Sequence, residues 1–425
     1  MGISRRSIIA SLSLIGLLRP IRSIARETKD TDLEVIEQNL VNSKSNDDFW
    51  FWVKQSFTVS PFILNLNNGG VSPQPKCVQE AFIRYNQISN EGPAYFMWRI
   101  LDQGREPIRK KLAQLAGCSP EEIAINRNTT EGMDTIIFGL ELKEGDEVVL
   151  AKQDYPNVIN AWKFREKRDK IKLVWVDLSL PSENTDYLVH SYISKFTSRT
   201  KVVNLTHMIN WNGQILPVQE IAREARKRGI FVLVDGAHTF AHIDFKLPAL
   251  ECDFFATSLH KWLCAPFGTG MLYIRKELIK QIPPLFPNDN PYSEDIRKFE
   301  SLGTRSFPAE MAIADALNFN DLVRINRKEE RLRYLKNYWI EKIKDLPSVK
   351  ILTPLKKEFS CGLGLFSIDG KKPEEISDYL FTKHKIFTVA INWENIHGVR
   401  ITPHIYISEN DLDRFTEAIF EYVKS

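Results

Sequence analysis

Between residues 122 and 274 short apolar runs alternate with amphipathic stretches, and this alternation constrains the fold more than any other feature. The unit is clearest around residue 230. Pro217 opens a helix with Val218, Ile221, Ala222 and Ala225 on one face. Pro is pre-organised for a first helical position. Arg226, Lys227 and Arg228 suit the negative end of the helix dipole, and Gly229 closes it. The run Ile230–Val234 follows at once and reads as a buried strand. Comparable runs occur at Glu122–Asn126, Glu147–Ala151, Lys172–Asp177, Val202–Thr206, Asp253–Thr257 and Met271–Ile274, with an apolar helix from Thr129 to Leu140. The pattern predicts an α/β fold, a largely parallel mixed sheet sandwiched by helices. Ligands of such sheets sit beyond the carboxyl ends of the strands, so residues just after each run are the candidates for chemistry.

The rest of the chain frames that sheet. Its 425 residues suit two compact domains. Residues 26–60 predict helix, and Asn67-Asn68-Gly69-Gly70 with Ser72-Pro73 predicts a loop. Ile108, Leu112 and Leu115 mark a helix over 104–116, closed by Gly117. Residues 308–345 read as long charged helices, followed by strands at Gly364–Ile368 and Gly398–Thr402 and a last helix at Asn410–Lys424. This divides the chain into a large domain, 26–307, and a smaller C-terminal α+β domain, 308–425.

Residues 1–25 read as an export signal. Ser4-Arg5-Arg6-Ser7-Ile8-Ile9 resembles the twin-arginine pattern without its usual following Lys. The apolar stretch Ile8–Leu18 has 11 residues, against the ~20 of a bilayer span, so no stable membrane anchor is expected. Ser23-Ile24-Ala25 has the small-x-small form of a cleavage site. A frayed basic terminus would look similar. The export reading places the mature protein in the periplasm or otherwise outside the cytoplasm.

Charge and cysteine content narrow the function. The formal charge is +3, but Arg5, Arg6, Arg19 and Arg22 carry it. The remainder is nearly balanced, which gives no electrostatic case for nucleic acid. The five cysteines are irregularly spaced without a CxxC, so no metal site is expected.

The chemistry concentrates in Val234-Asp235-Gly236-Ala237-His238 and Thr257-Ser258-Leu259-His260-Lys261-Trp262. Asp235 falls where one buried strand ends, and Lys261 falls just past the end of another. An aspartate there can cap a helix, sit solvated in a loop, or aim its charge into a site. The pairing of an acid with an amine on one sheet edge suits pyridoxal 5'-phosphate. A lysine amine holds that cofactor's aldehyde, and a carboxylate keeps its pyridine nitrogen protonated. Its phosphate needs helix-terminal N–H groups and hydroxyls, which Asn128-Thr129-Thr130-Glu131 offers. The same four residues also read as a plain N-cap.

These residues carry a resemblance. The chain resembles the class V aminotransferase family of fold-type I pyridoxal-phosphate enzymes, in particular its isopenicillin N epimerase-like branch, from about Asn65 to Ser425. The motifs are Asn67-Asn68-Gly69, Asn128-Thr129-Thr130-Glu131-Gly132, Asp154-Tyr155-Pro156, His207 to Pro217, Asp235-Gly236-Ala237-His238, Ser258-Leu259-His260-Lys261-Trp262 and Arg400-Ile401-Thr402-Pro403-His404. The resemblance implies that Lys261 binds the cofactor covalently and shuttles the α-proton, and that Asp235 pairs with the pyridine nitrogen. It implies that His238 and Asn210 lie near the phenolic oxygen, that Tyr155 stacks on the ring, and that Thr129, Thr130, Ser258 and His260 hold the phosphate. Thr304 resembles a threonine that reaches the partner subunit's phosphate, which implies a homodimer. Arg400 matches the clamp for the substrate carboxylate. Tyr155 could instead be a core aromatic, Asn210 a turn former and Arg400 a surface ion pair. Arg99 is a further candidate to face substrate.

Fold-type I chemistry includes transamination, racemisation and loss of a side-chain group. Desulfurases of this family use a cysteine on a loop shortly before the clamp arginine, and the stretch Phe387–Val399 has none. The expectation is an exported aminotransferase-like enzyme acting on a small-molecule or peptide amine. An epimerase or carbon–sulfur lyase on the same scaffold is the alternative, and an inactive binding protein is a third reading.

Overall fold

The computed structural model describes residues 32–424. The expected export signal lies outside the described residues. Seven strands form the main sheet: β1 (Ile123–Asn126), β2 (Glu147–Ala151), β3 (Lys172–Val176), β4 (Thr200–Thr206), β5 (Phe231–Asp235), β6 (Phe254–Ser258) and β7 (Gly270–Ile274). Their spatial order is β1-β7-β6-β5-β4-β2-β3. β7 pairs antiparallel with both β1 and β6, while every other pairing is parallel. The sheet is therefore mixed and largely parallel.

Side-chain alternation explains why both faces are covered. Val149, Val203, Val232, Val234, Phe255 and Met271 join one buried cluster, and their neighbours Val148, Val202, Leu233, Phe254 and Leu272 join a second on the opposite face. Successive residues of a strand point to opposite faces, so continuous apolar runs need helices on each. The helix Arg105–Ala116 brings Ile108 and Leu112 to the first cluster, and Val218–Arg226 brings Ile221 and Ala225. Thr129–Gly139 brings Met133 and Ile136 to the second, and Pro156–Asp169 brings Trp162. Fully burying one such aliphatic side chain contributes ~1.5–3 kcal/mol.

Helices Phe307–Met311, Ile313–Val323 and Ile325–Ile343 lead into a second, antiparallel sheet. It holds β8 (Val349–Ile351), β9 (Gly364–Ile368), β10 (Val389–Trp393) and β11 (Ile396–Ile401), in the order β10-β11-β9-β8. The helix Glu409–Lys424 closes the chain.

One segment crosses between the two ends of the sequence. Leu64–Asn65 pairs in parallel with Ile386–Phe387, and Asn67 bridges to Thr402. The amides of Asn68 and of its side chain both donate to Thr402 O, at 3.2 and 2.9 Å. Residues 64–72 are thereby held against the C-terminal sheet and beside His260, whose carbonyl accepts from Ser72 N at 3.2 Å.

Candidate active site

The carboxyl ends of β1, β2, β4, β5 and β6 face one region, and each contributes a polar group. Asp235 is the last residue of β5 and pairs in register with Thr206 on one side and Ala256 on the other. The chain then bends sharply, with Ala237 N donating to Asp235 Oδ1 at 2.9 Å. Gly236 permits the bend, since a Cβ there would lie 1.8 Å from the Phe255 ring. Burial pushes the Asp235 carboxyl up, opposed by the Ala237 amide and by the charge of Lys261. Among the described residues Ala237 N is its only hydrogen-bond donor, which leaves acceptor capacity unused.

Lys261 lies on the loop between β6 and β7. Desolvation lowers its amine to about 8, with Asp235 opposing and Arg400 reinforcing that shift. Its Nζ is 3.2 Å from His238 Nε2. Asp235 and His238, both buried at the end of β5, are thus joined by the half-buried Lys261, 23 residues beyond His238.

Two hydroxyls converge on a helix start. Thr129 N donates to Ser258 Oγ at 2.9 Å, and the Thr129 and Ser258 hydroxyls are 2.8 Å apart. Asn128 caps this helix by accepting from Glu131 N at 2.9 Å. Thr130 occupies the first turn, half-buried. Both side-chain polar atoms of the nearby Asn126 are buried without a partner. His260 Nδ1 faces Thr269 O at 3.3 Å; a carbonyl only accepts, so this nitrogen carries the proton.

Arg400 lies on β11, buried to 6% exposure. Its Nη1 donates to Asn210 O at 2.7 Å and its Nη2 to Asn67 Oδ1 at 2.8 Å, while Nε has no partner. The other buried arginines among the described residues all meet carboxylates: Arg105 and Arg109 meet Glu300, Arg165 meets Asp169, and Arg331 meets Glu409. Arg400 has no carboxylate partner there, and desolvation lowers it to about 10. A buried, uncompensated cation is expensive, and a bound anion would relieve it. Asn210 forms a turn, as one sequence reading allowed, yet its Oδ1 is buried and unpaired. Tyr155 stands at the start of the helix after β2 and is 40% exposed.

Thr304 is not brought into this group. It is exposed, on the loop between the helical turn Ile296–Glu300 and the helix Phe307–Met311. Arg99 is also exposed, in a π-helical turn at Phe96–Leu101.

Three residues escaped a role in the sequence reading. Asp154 accepts from Thr206 Oγ1 at 2.7 Å, Asn204 Nδ2 at 3.0 Å and Ala151 N at 3.1 Å. Burial raises its carboxyl to about 7 against those donors, and Asp235 adds to the rise. Asn67 orients Arg400, and Trp262 contacts His238. An acid before Tyr-Pro just past a buried strand was a usable signal for Asp154. The other two depend on pairings across the fold.

The residues fit pyridoxal phosphate: an amine of lowered basicity, a buried carboxylate with spare acceptor capacity, two hydroxyls at a helix start, and a guanidinium with no carboxylate partner among the described residues. Fold and site together define a pyridoxal-phosphate enzyme of fold type I. The aminotransferase class-V family matches residues 64–415, and the chain belongs to that family. It is 26% identical over 388 residues to an isopenicillin N epimerase of Streptomyces clavuligerus, covering 87% of this chain and 97% of the relative. A probable cysteine desulfurase of Halalkalibacterium halodurans is 25% identical over 391 residues, covering 86% and 94%. The apo structure of a cysteine desulfurase from Thermococcus onnurineus superposes with a TM-score of 0.77 at 24% identity, over 88% of this chain and 97% of that one. This last likeness is one of fold.

Proposed function

We propose that the protein is an exported pyridoxal-phosphate enzyme that transfers the amino group of an amino acid or an amine-bearing peptide. The observation that carries this reading is Arg400, a buried guanidinium met only by neutral acceptors beside Lys261 and Asp235. It suits a substrate that brings its own carboxylate. Bound here, the cofactor supplies an aldehyde for the substrate amine and a ring that accepts electrons from the α-carbon. Lys261 holds the cofactor and moves the α-proton. Asp235 keeps a proton on the pyridine nitrogen. Thr129, Thr130, Ser258 and His260 bind the phosphate, Asn210 and His238 bind polar edges of the ring, and Tyr155 offers it an aromatic face. Thr304, exposed and away from this site, serves the partner's phosphate in a homodimer.

Epimerisation is the second reading, favoured by the isopenicillin N epimerase relative that matches nearly end to end. Sulfur abstraction fits poorly. The stretch before Arg400 is the β10–β11 hairpin and carries no cysteine. Burial pushes the Cys361 and Cys118 thiols to about 12 and Cys264 to about 11, so none is a ready thiolate.

A product assay separates the readings. With an amino-acid panel and a keto acid, transamination converts keto acid stoichiometrically, whereas epimerisation inverts the α-carbon and leaves keto acid untouched. Inversion without keto-acid consumption would replace the first reading by the second. The export reading, resting on Arg5 and Arg6, is tested by replacing both with Lys. Retention in the cytoplasm with cofactor bound is expected, and normal export would overturn the twin-arginine route.

A further inference from the structure

Behind Lys261 lies a stack of rings that no step above uses. The Trp262 indole stacks on His242, with centroids 3.5 Å apart and planes at 18°, and on His404 at 5.6 Å and 19°. All three side chains are buried. The stack is anchored at several points. His242 Nδ1 meets His238 O at 2.6 Å, and His242 Nε2 accepts from Gly362 N at 2.9 Å, so this ring cannot turn without breaking both bonds. The buried amine of Lys328 donates to the Trp262 carbonyl. The indole is therefore held in one orientation, and its Nε1 points at His238 Nδ1 at 3.4 Å.

An indole N–H donates and never accepts. His238 Nδ1 must then be the acceptor. A neutral imidazole has one donor and one acceptor, which leaves Nε2 as the protonated nitrogen. His238 is neutral: burial pushes it well below its ordinary value, and the charge of Arg400 adds to this. Its Nε2 is the atom 3.2 Å from Lys261 Nζ.

We infer that Trp262 is a positioning residue that fixes His238 as the Nε2–H tautomer, so that His238 presents a donor to whatever occupies the Lys261 amine position. An ammonium group has no lone pair to accept that bond, so the arrangement selects the neutral, nucleophilic amine. It equally offers a donor to an electronegative atom of a bound cofactor. Without the indole, His238 could turn its proton to Nδ1 and accept from a lysine ammonium instead. The inference rests on the reading of Lys261 as the cofactor lysine.

Nitrogen NMR of the full chain with isotope-labelled histidine tests it, on loaded and cofactor-stripped protein, with His238 assigned by the loss of its signals in His238→Gln. The expected result is a pyridine-type Nδ1 and a pyrrole-type Nε2 in both states. In Trp262→Phe the Nδ1 signal should shift toward the pyrrole type. A pyrrole-type Nδ1 in the unmodified protein would overturn the inference, whether or not the variant folds. So would a folded Trp262→Phe with both signals unmoved. Borohydride fixation and peptide mapping on the same samples keep the two readings apart. Cofactor on a different lysine would overturn the functional assignment of Lys261, while the nitrogen shifts would still decide the tautomer.

Discussion

Arg400 Nη2 donates to Asn67 Oδ1 at 2.8 Å, joining residues 333 positions apart. The contact docks the 64–72 segment onto the C-terminal sheet beside the sheet edge that carries Asp235 and Lys261. With Asn210 O on the other arm, three regions of the chain set the plane of one guanidinium. Both acceptors are neutral, so the geometry is fixed while the charge is left uncompensated.

Arg400→Lys should weaken binding of carboxylate-bearing substrates. A lysine keeps the charge but cannot reach both acceptors and a carboxylate in one plane. Losing a charge-assisted pair costs roughly 1.5–3 kcal/mol, on the order of ten- to a hundredfold in affinity. Spectral titration with substrate, beside a melting curve, checks this. Unchanged affinity with a lowered melting point would make Arg400 a brace for the small domain.

Cofactor attachment to stripped protein should depend on pH in a specific way. The Lys261 amine is lowered from 10.5 to about 8, so it is protonated below that value and neutral above it. Attachment rate should rise with pH and level off above about 8, where an ordinary lysine would keep gaining up to ~10.4. The Asp235 charge holds this pKa up, so Asp235→Asn should move the plateau to lower pH. Stopped-flow absorbance across the range decides; a rise continuing past 10 would show an unperturbed amine.

Much of this arrangement was legible in the sequence, for a physical reason. Strands buried on both faces read as continuous apolar runs whichever way they pair, so parallel β2 (Glu147–Ala151) and antiparallel β9 (Gly364–Ile368) begin and end where the pattern does. Because strand ends are visible, Asp235 and Lys261 are visible beside them. β10 was not, since Val389–Trp393 buries only Ile391 and its pattern resembles a loop. The helix Pro373–His384 buries only Ile376 and Leu380, too few to show a periodic face. Asn67 and Trp262 stayed hidden for another reason: a local pattern cannot show that Asn67 meets a strand near the opposite end of the chain.

Asp235→Ala should retain cofactor, because the hydroxyls of Thr129 and Ser258 at the helix start are untouched. Turnover should fall by several orders of magnitude as the ring loses the partner that keeps its nitrogen protonated. Activity within about tenfold of the unmodified protein, a barrier change near ~1.4 kcal/mol, would exclude this carboxylate as that partner. Equilibrium dialysis for the cofactor and single-turnover kinetics for the chemistry separate the two effects.

Glu300 tests stability instead of chemistry. Its Oε1 accepts from Arg109 Nη1 at 2.5 Å and from Ile125 N at 2.7 Å, and its Oε2 lies 3.0 Å from Arg105 Nη2. One buried carboxylate thus ties the helix Arg105–Ala116 to β1, just before the loop that bears Thr304. Glu300→Gln keeps the shape but leaves two buried guanidinium groups short of an anion, since an amide also offers only one acceptor oxygen. Breaking a buried pair in this way costs ~3–5 kcal/mol. Arg105 retains Glu310 at 3.1 Å and Arg109 retains Glu106 at 3.1 Å, which places the expected loss at the lower end of that range. Denaturant unfolding of the cofactor-loaded protein should show the midpoint falling with its slope unchanged, because the surface exposed on unfolding is the same. An unfolding free energy within about 0.5 kcal/mol of that of the unmodified protein, the scale of an ordinary surface substitution, would mean that the remaining acids carry both arginines unaided.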